Sequence, residues 1–433
     1  MVLRLNEQDP LFENRFRDYL TARVRLLSKV DNSVREIVSD VRNRGDKAIQ
    51  LYTERFDGVS LDPSQYRIDQ NTIANATEKI SSAEHVALDI AAERIESHHK
   101  RQMPDDDHYT DSIGMELGHR WTPISSVGLY VPGGSAAYPS TVLMAAIPAL
   151  VAGVSRIAMV TPCGAGDPHP LVLAAAAKAG ITEIYRIGGA QGIAALAIGT
   201  NTIASVDKII GPGNAYVSAA KRLVFGHVGI DVLAGPSEIV VLSDIHSDPN
   251  WVATDLLSQA EHDPNAQAIL ITDDEGFAER VAMGVAQRLP AMTRNTIATT
   301  SWENNGAIII VENINRAPSI INQIAPEHVA LAIENPDDIV GLIQNAGTIF
   351  LGRITPEAIG DYIAGTNHIL PTSGSAKFSS GLSVYEFLKR ISVVRCNPSS
   401  LENIGPSAIT LAEAEGLDEH AQSIRIRLRA AAP

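Results

Sequence analysis

Gln259 and His262 stand three apart in the stretch LLSQAEHD, so on a helix they share one face, and Pro264 just beyond disfavours its continuation. An amide oxygen and an imidazole side by side at a helix end can ligate a cation. Three more clusters carry ligand chemistry: Glu327-His328, Asp361 followed by His368, and Glu415 with His420. Gathered by folding, His262 and His420 would supply nitrogens and Asp361 and Gln259 oxygens to a zinc centre. On spacing alone they could equally be ordinary polar residues. Glu327-His328 follows Ala325-Pro326, which predicts a pair that begins a helix or leaves a strand with fixed geometry. A carboxylate beside an imidazole suits proton abstraction and water activation near neutral pH; a capping acid next to a packed histidine is the competing reading. His368 lies in GTNHILPTSG, where a polar side chain can face a ligand. Cys163 and Cys396 lack a sequence-neighbouring His or Lys to activate them and are read as inert thiols.

Elements must hold these side chains. A strand at 124–131 enters the glycine turn VPGGSAAYPS; a strand at 156–161, an alanine-rich helix at 170–179, a strand at 183–188 and a helix at 190–198 follow. This alternation predicts a parallel sheet with ligands at strand ends. Gly133-Gly134, Gly188-Gly189-Ala190-Gln191 and Gly211-Pro212-Gly213-Asn214 follow strands, and their small residues would let backbone N–H groups approach an anion or nucleotide. Turns need glycine anyway, and no G-x-G-x-x-G fingerprint follows a strand, so no standard dinucleotide fold can be assigned by motif. Strands at 239–242, 268–272, 307–311 and 348–351, with the helix carrying Gln259, form a second α/β unit. The first 110 or so residues are charged and helical in pattern, with His98, His99 and His108 in a solvated linker. His227 and His246 read as structural. The segment from Leu382 onward reads as helical without a sheet of its own, packing on another subunit or domain.

The chain has 433 residues with 45% hydrophobic and 20% charged side chains, enough for two to three folded domains and against extensive disorder. Its net charge of -15 argues against nucleic acid as a partner. Charges interrupt the first apolar positions, and the longest apolar run, 142–154, contains Pro148 and is too short to span a bilayer. We therefore expect no membrane association and a cytoplasmic location. Two cysteines give neither a disulfide framework nor a cysteine metal cluster.

The strings IIGPGNAYVSAAKRLVFG, GIDVLAGPSE, DLLSQAEHDP, APEHVAL, IGDYIAGTNHILPTSG and FSSGLSVYEFLKR resemble the hallmark segments of the histidinol dehydrogenase family, in the family's order, over about 30–420. Thr366 stands where the commonest form of one loop has proline, with His368 in place. The resemblance implies a homodimeric, zinc-dependent enzyme that oxidises L-histidinol to L-histidine with two NAD, the last step of histidine biosynthesis. Gln259, His262, Asp361 and His420 then match zinc ligands that also touch substrate, and Glu327 and His328 the catalytic acid/base pair. Ser237, His368 and Glu415, with His328, match substrate contacts; Tyr130, Gln191 and Asn214 match nucleotide contacts. His420 and Glu415 would act in trans, from the partner subunit.

The expected architecture is α/β, with two Rossmann-like, incomplete parallel-sheet domains plus small helical terminal segments. We divide it into an N-terminal helical segment (1–25), a zinc and substrate domain (26–128 with 236–381), an NAD-binding Rossmann-like domain (129–235) and a C-terminal dimerisation segment (382–433). Rival functions are a related zinc dehydrogenase of another amino or sulfonated alcohol, a zinc hydrolase using Glu327 as base, and a non-catalytic metal-binding protein.

Overall fold

The computed structural model describes residues 2–24, 30–133, 137–164, 166–233 and 235–431. Of the glycine turns expected to face a ligand, Gly134 lies outside these residues. The strands in chain order are β1 (Leu3–Asn6), β2 (Asp107–Thr110), β3 (Glu116–Pro123), β4 (Ser126–Tyr130), β5 (Arg156–Val160), β6 (Glu183–Tyr185) and β7 (Lys208–Ile210). There follow β8 (Gly229–Ile230), β9 (Glu238–Ser243), β10 (Gln267–Thr272), β11 (Ala307–Ile310), β12 (His328–Ala332), β13 (Thr348–Leu351) and β14 (Leu388–Arg395).

Two parallel sheets form the body of the molecule. One runs β1-β11-β10-β9-β12-β13, the other β6-β5-β4-β7-β8. Their central strands are apolar at nearly every position and buried throughout, as in EIVVLS of β9 and HVALA of β12, because helices cover both faces. Alternate residues serve opposite faces: Val240 and Leu242 join a core with Phe16 and Ile320, while Ile239 and Val241 join one with Leu256 and Phe277. The long apolar run noted above is the buried helix Pro139–Ala152, packed with β4 and β5 residues. Among the described residues no helix is long and apolar enough to cross a membrane.

Four assignments from sequence change, one of them at His99, which is fully buried in the helix Ser82–Lys100 rather than in a solvated linker. The first segment is not only helical: β1 pairs with β11, Leu3 opposite Ala307, before the helix Phe12–Val24 begins. A four-residue edge strand has too little pattern to be read without its distant partner.

The sequence reading places residues 26–128 with 236–381. Instead Val34, Ile37, Val41 and Ile49 share a core with Ala158, Val160 and Ile193, and Ile73, Leu88 and Ile95 share one with Val127, Leu129 and Leu143. Both cores belong to the five-stranded sheet. Amphipathic spacing shows that a helix has an apolar face but not which sheet that face meets.

The C-terminal segment does contain a strand. β14 pairs antiparallel with β3 from Leu388 opposite Pro123 to Arg395 opposite Glu116, and β2 completes a three-stranded sheet. After it the helices Pro398–Ala414 and Asp418–Ala431 pack against each other.

Candidate active site

The functional side chains collect where the two sheets meet. The crossing 231–237 runs from the carboxyl end of β8 to the amino end of β9, so the carboxyl edge of one sheet adjoins the amino edge of the other. The helix Ala317–Ile324 ends at Ala325, which takes a left-handed φ of 49°, and Pro326 then feeds the chain into β12. Glu327 and His328 therefore sit at the first turn of a strand, buried, with the rigid sheet behind them.

The Glu327 carboxylate accepts the backbone N–H of Glu238 at 2.9 Å and is hydrogen-bonded by the Ser237 side chain. His328 Nδ1 lies 3.1 Å from the Glu238 carbonyl oxygen and 3.2 Å from Glu357 Oε1. A carbonyl can only accept, so Nδ1 carries the proton and Nε2 is the basic nitrogen. Nε2 is 3.8 Å from Asp361 Oδ1. Glu357 and Asp361 project from one helix, Glu357–Tyr362, a turn apart. His368 donates to the Asp361 carbonyl at 3.0 Å through Nδ1, and its neutral Nε2 accepts the Thr141 hydroxyl at 3.0 Å, so it bridges the helices of both units.

Gln259 is 1% exposed, and its Oε1 has no hydrogen-bond partner. It ends the helix Pro249–Ala260, one turn after Asp255, and the N–H of His262 closes on its carbonyl at 3.2 Å. His262 stands close enough for its charge to disfavour protonation of both His328 and His368, and its own pKa is lowered chiefly by burial.

Burial governs the electrostatics of this pocket. It raises Glu327 and Glu357 well above the usual carboxylate range, with each other's neighbouring carboxylates adding to the effect. It lifts Asp361 and Asp255 to about 6, and it holds His328 down at about 3 and His368 at about 4. Four carboxyl groups crowded beside neutral imidazoles, with an orphaned amide oxygen on the helix of Asp255, are donor types that could hold a cation. Among the described residues, His328, Glu357 and Asp361 offer donor atoms all within 4.8 Å of one another. That trio shares only Asp361 with the set expected from sequence.

Of the expected residues, Ser237, His262, Glu327, His328, Asp361 and His368 thus lie together, and Gln259 lies one helical turn after Asp255, whose charge acts on Glu357. Glu415 and His420 do not join it within the chain: both are exposed on the C-terminal helical hairpin, Glu415 ending one helix and His420 opening the next. Sequence reading missed Glu357 and Asp255. Both had a signal, since each precedes a singled-out residue, Asp361 or Gln259, by one helical turn.

The carboxyl edge of the five-stranded sheet holds the remaining residues. Strand order reverses between β4 and β7, which opens the crevice where α/β sheets bind ligands. Tyr130 ends β4, and its hydroxyl accepts the Gly189 N–H at 3.2 Å. Gln191, in the first turn of the helix Gly189–Ile198, is buried with neither amide atom partnered. The Asn214 side chain accepts from the N–H groups of Tyr216 and Val217 at 3.0 and 3.2 Å and so caps the next helix. The glycines also serve packing: a Cβ on Gly188 would strike Pro162 at 2.5 Å, and one on Gly211 would strike the Tyr130 carbonyl.

Known proteins share this arrangement. The family model described as histidinol dehydrogenase matches residues 21–428. The histidinol dehydrogenases of Agrobacterium fabrum and Rhizobium meliloti are each 53% identical over 428 residues, covering 99% of this chain and 99% of their own. The crystal structure of histidinol dehydrogenase from Elizabethkingia anophelis superposes with a TM-score of 0.93 at 37% identity, covering 99% of this chain and 98% of that one. The match takes in both sheets and every segment that lines the pocket, and the chain belongs to the histidinol dehydrogenase family.

Proposed function

We propose that the protein oxidises L-histidinol, through a bound aldehyde, to L-histidine, with zinc in the buried pocket and two NAD used in turn. Family membership supports the reaction, and one observation carries the site: a neutral His328 with its proton fixed on Nδ1 stands beside buried Glu327, with an orphaned Gln259 oxygen on the helix of Asp255. Gln259, His262 and Asp361 would hold the metal from one subunit and His420 from the other. The unpartnered amide of Gln191 at the switch point fits a polar cofactor there, with Tyr130 and Asn214 beside it. When bound, zinc would orient the imidazole and amine of the substrate and NAD would accept hydride.

The chain's own groups then move the protons. His328 takes the hydroxyl proton on Nε2 as the carbinol C–H bond gives up hydride, leaving the aldehyde in place. Glu327, made more basic by burial, removes a proton from the water that adds to the aldehyde. As that water adds, His328 returns its proton to the aldehyde oxygen, and the neutral ring again accepts a hydroxyl proton from the hydrate as the second hydride leaves. Ser237, His368 and the partner's Glu415 would contact substrate. The biosynthetic role of the family supports placing it in the cytoplasm.

Purified protein supplied with zinc, L-histidinol and NAD should form two NADH per histidine. Absence of NADH rejects this reading, and failure to bind NAD while hydrolysing an ester or amide would favour a hydrolase.

A further inference from the structure

The mechanism leaves one buried charge pair unused. Lys221 and Asp231 form an ion pair with side chains 1% and 2% exposed. Removing two charges from water is costly, and such pairs persist where further hydrogen bonds complete them. Here the completion is specific. The ammonium of Lys221 donates to Asp231 Oδ1, to the Gly211 carbonyl at 3.0 Å and to the Val232 carbonyl at 3.0 Å, using all three of its hydrogens. Asp231 Oδ2 accepts the Gly211 N–H at 2.8 Å. Both polar groups of Gly211 are therefore held by the pair at the point where the chain leaves β7.

Gly211 is also where the backbone is most constrained. Its φ of 114° is a region L side chains rarely adopt, and the turn closes directly on the Tyr130 carbonyl, so no Cβ fits. Asn214 lies three residues further on and starts the helix that carries Lys221. Through Val232 the same ammonium grips the crossing that ends at Ser237 beside Glu327.

We propose that Lys221 and Asp231 are positioning residues for the dinucleotide: their buried pair presets the 211–214 turn at the switch point and fixes it relative to the crossing toward the substrate pocket. This rests on the reading of that crevice as the NAD site. A turn organised before binding costs little order when the cofactor arrives.

The test uses the full-length, zinc-loaded enzyme. In Lys221→Met/Asp231→Asn, NAD binding measured by calorimetry should weaken about tenfold, with the KM for NAD rising in step and histidinol affinity within about twofold of wild type. In the wild-type enzyme, hydrogen exchange of a peptide spanning 208–217 should be as slow without NAD as with it. A folded double variant that binds NAD within twofold of wild type overturns the proposal. So does a wild-type turn that exchanges fast until NAD is added, a measurement that stands even if the variant does not fold. Wild-type protein that fails to bind NAD overturns the cofactor site itself, which separates that failure from failure of the pair.

Discussion

In the proposed reaction His328 would meet its substrate already neutral. Burial and the nearby imidazoles hold it at about 3, so it needs no deprotonation before acting as a base at neutral pH. Replacing it with Asn should depress oxidation of both alcohol and aldehyde by about a hundredfold or more; normal rates in either half-reaction would remove it from that role. Glu327→Gln should impair aldehyde oxidation more than alcohol oxidation, and equal losses measured with each substrate would refute the division of labour. The same depressed pKa makes a stability statement. The unfolded chain binds a proton at His328 near 6.5 and the folded one only near 3, so its contribution is complete above 6.5 and is lost as pH falls toward 3. In metal-free protein the wild type should lose about 2 kcal/mol relative to His328→Asn between pH 6.5 and 5. Parallel denaturant curves at the two pH values would check this, and an unchanged difference would contradict it.

At the scale of elements, the site depends on how β12 starts. The N–H of Gly347 donates to the Pro326 carbonyl at 3.1 Å and that of Thr348 to the Glu327 carbonyl at 2.9 Å, so the start of β13 clamps the backbone at Glu327. A Cβ on Gly347 would come within 2.5 Å of the Glu327 carbonyl oxygen, which is backbone and cannot swing aside. Gly347→Ala should therefore cost about 1–3 kcal/mol of stability and lower kcat by displacing Glu327, with NAD affinity unchanged. A variant of wild-type stability and rate would show that the strand can shift freely.

For the whole molecule, the C-terminal hairpin is where the proposed second subunit is tested. Val394, Leu411, Leu417 and Ile426 are exposed along β14 and the helical hairpin. The same arm carries Glu415 and His420, the two expected site residues that the single chain leaves outside the pocket. If His420 serves the partner's site, Asp361→Asn and His420→Asn homodimers should each be inactive, while a mixture allowed to exchange subunits regains about a quarter of wild-type activity, from heterodimers with one intact site. No recovery, with exchange shown by mass spectrometry, would place His420 in its own chain's site or in none.

Sequence alone determined what depends on local pattern and residue type. Alternating strands and helices marked out both parallel sheets. The helical spacing of Gln259 and His262, the Glu327-His328 pair and the family strings named the chemistry, because side-chain types and short spacings are written directly in the chain. Tertiary structure decided what depends on contacts between distant residues. It placed β1 beside β11, the helices of 31–100 on the five-stranded sheet, and β14 beside β3. It also brought Glu357 to His328 and locked Lys221 and Asp231 around Gly211. An apolar face or a buried charge carries no mark of its partner until folding closes the loop between them, and for that reason the pocket's inner walls were invisible in a sequence that named most of its reactive groups.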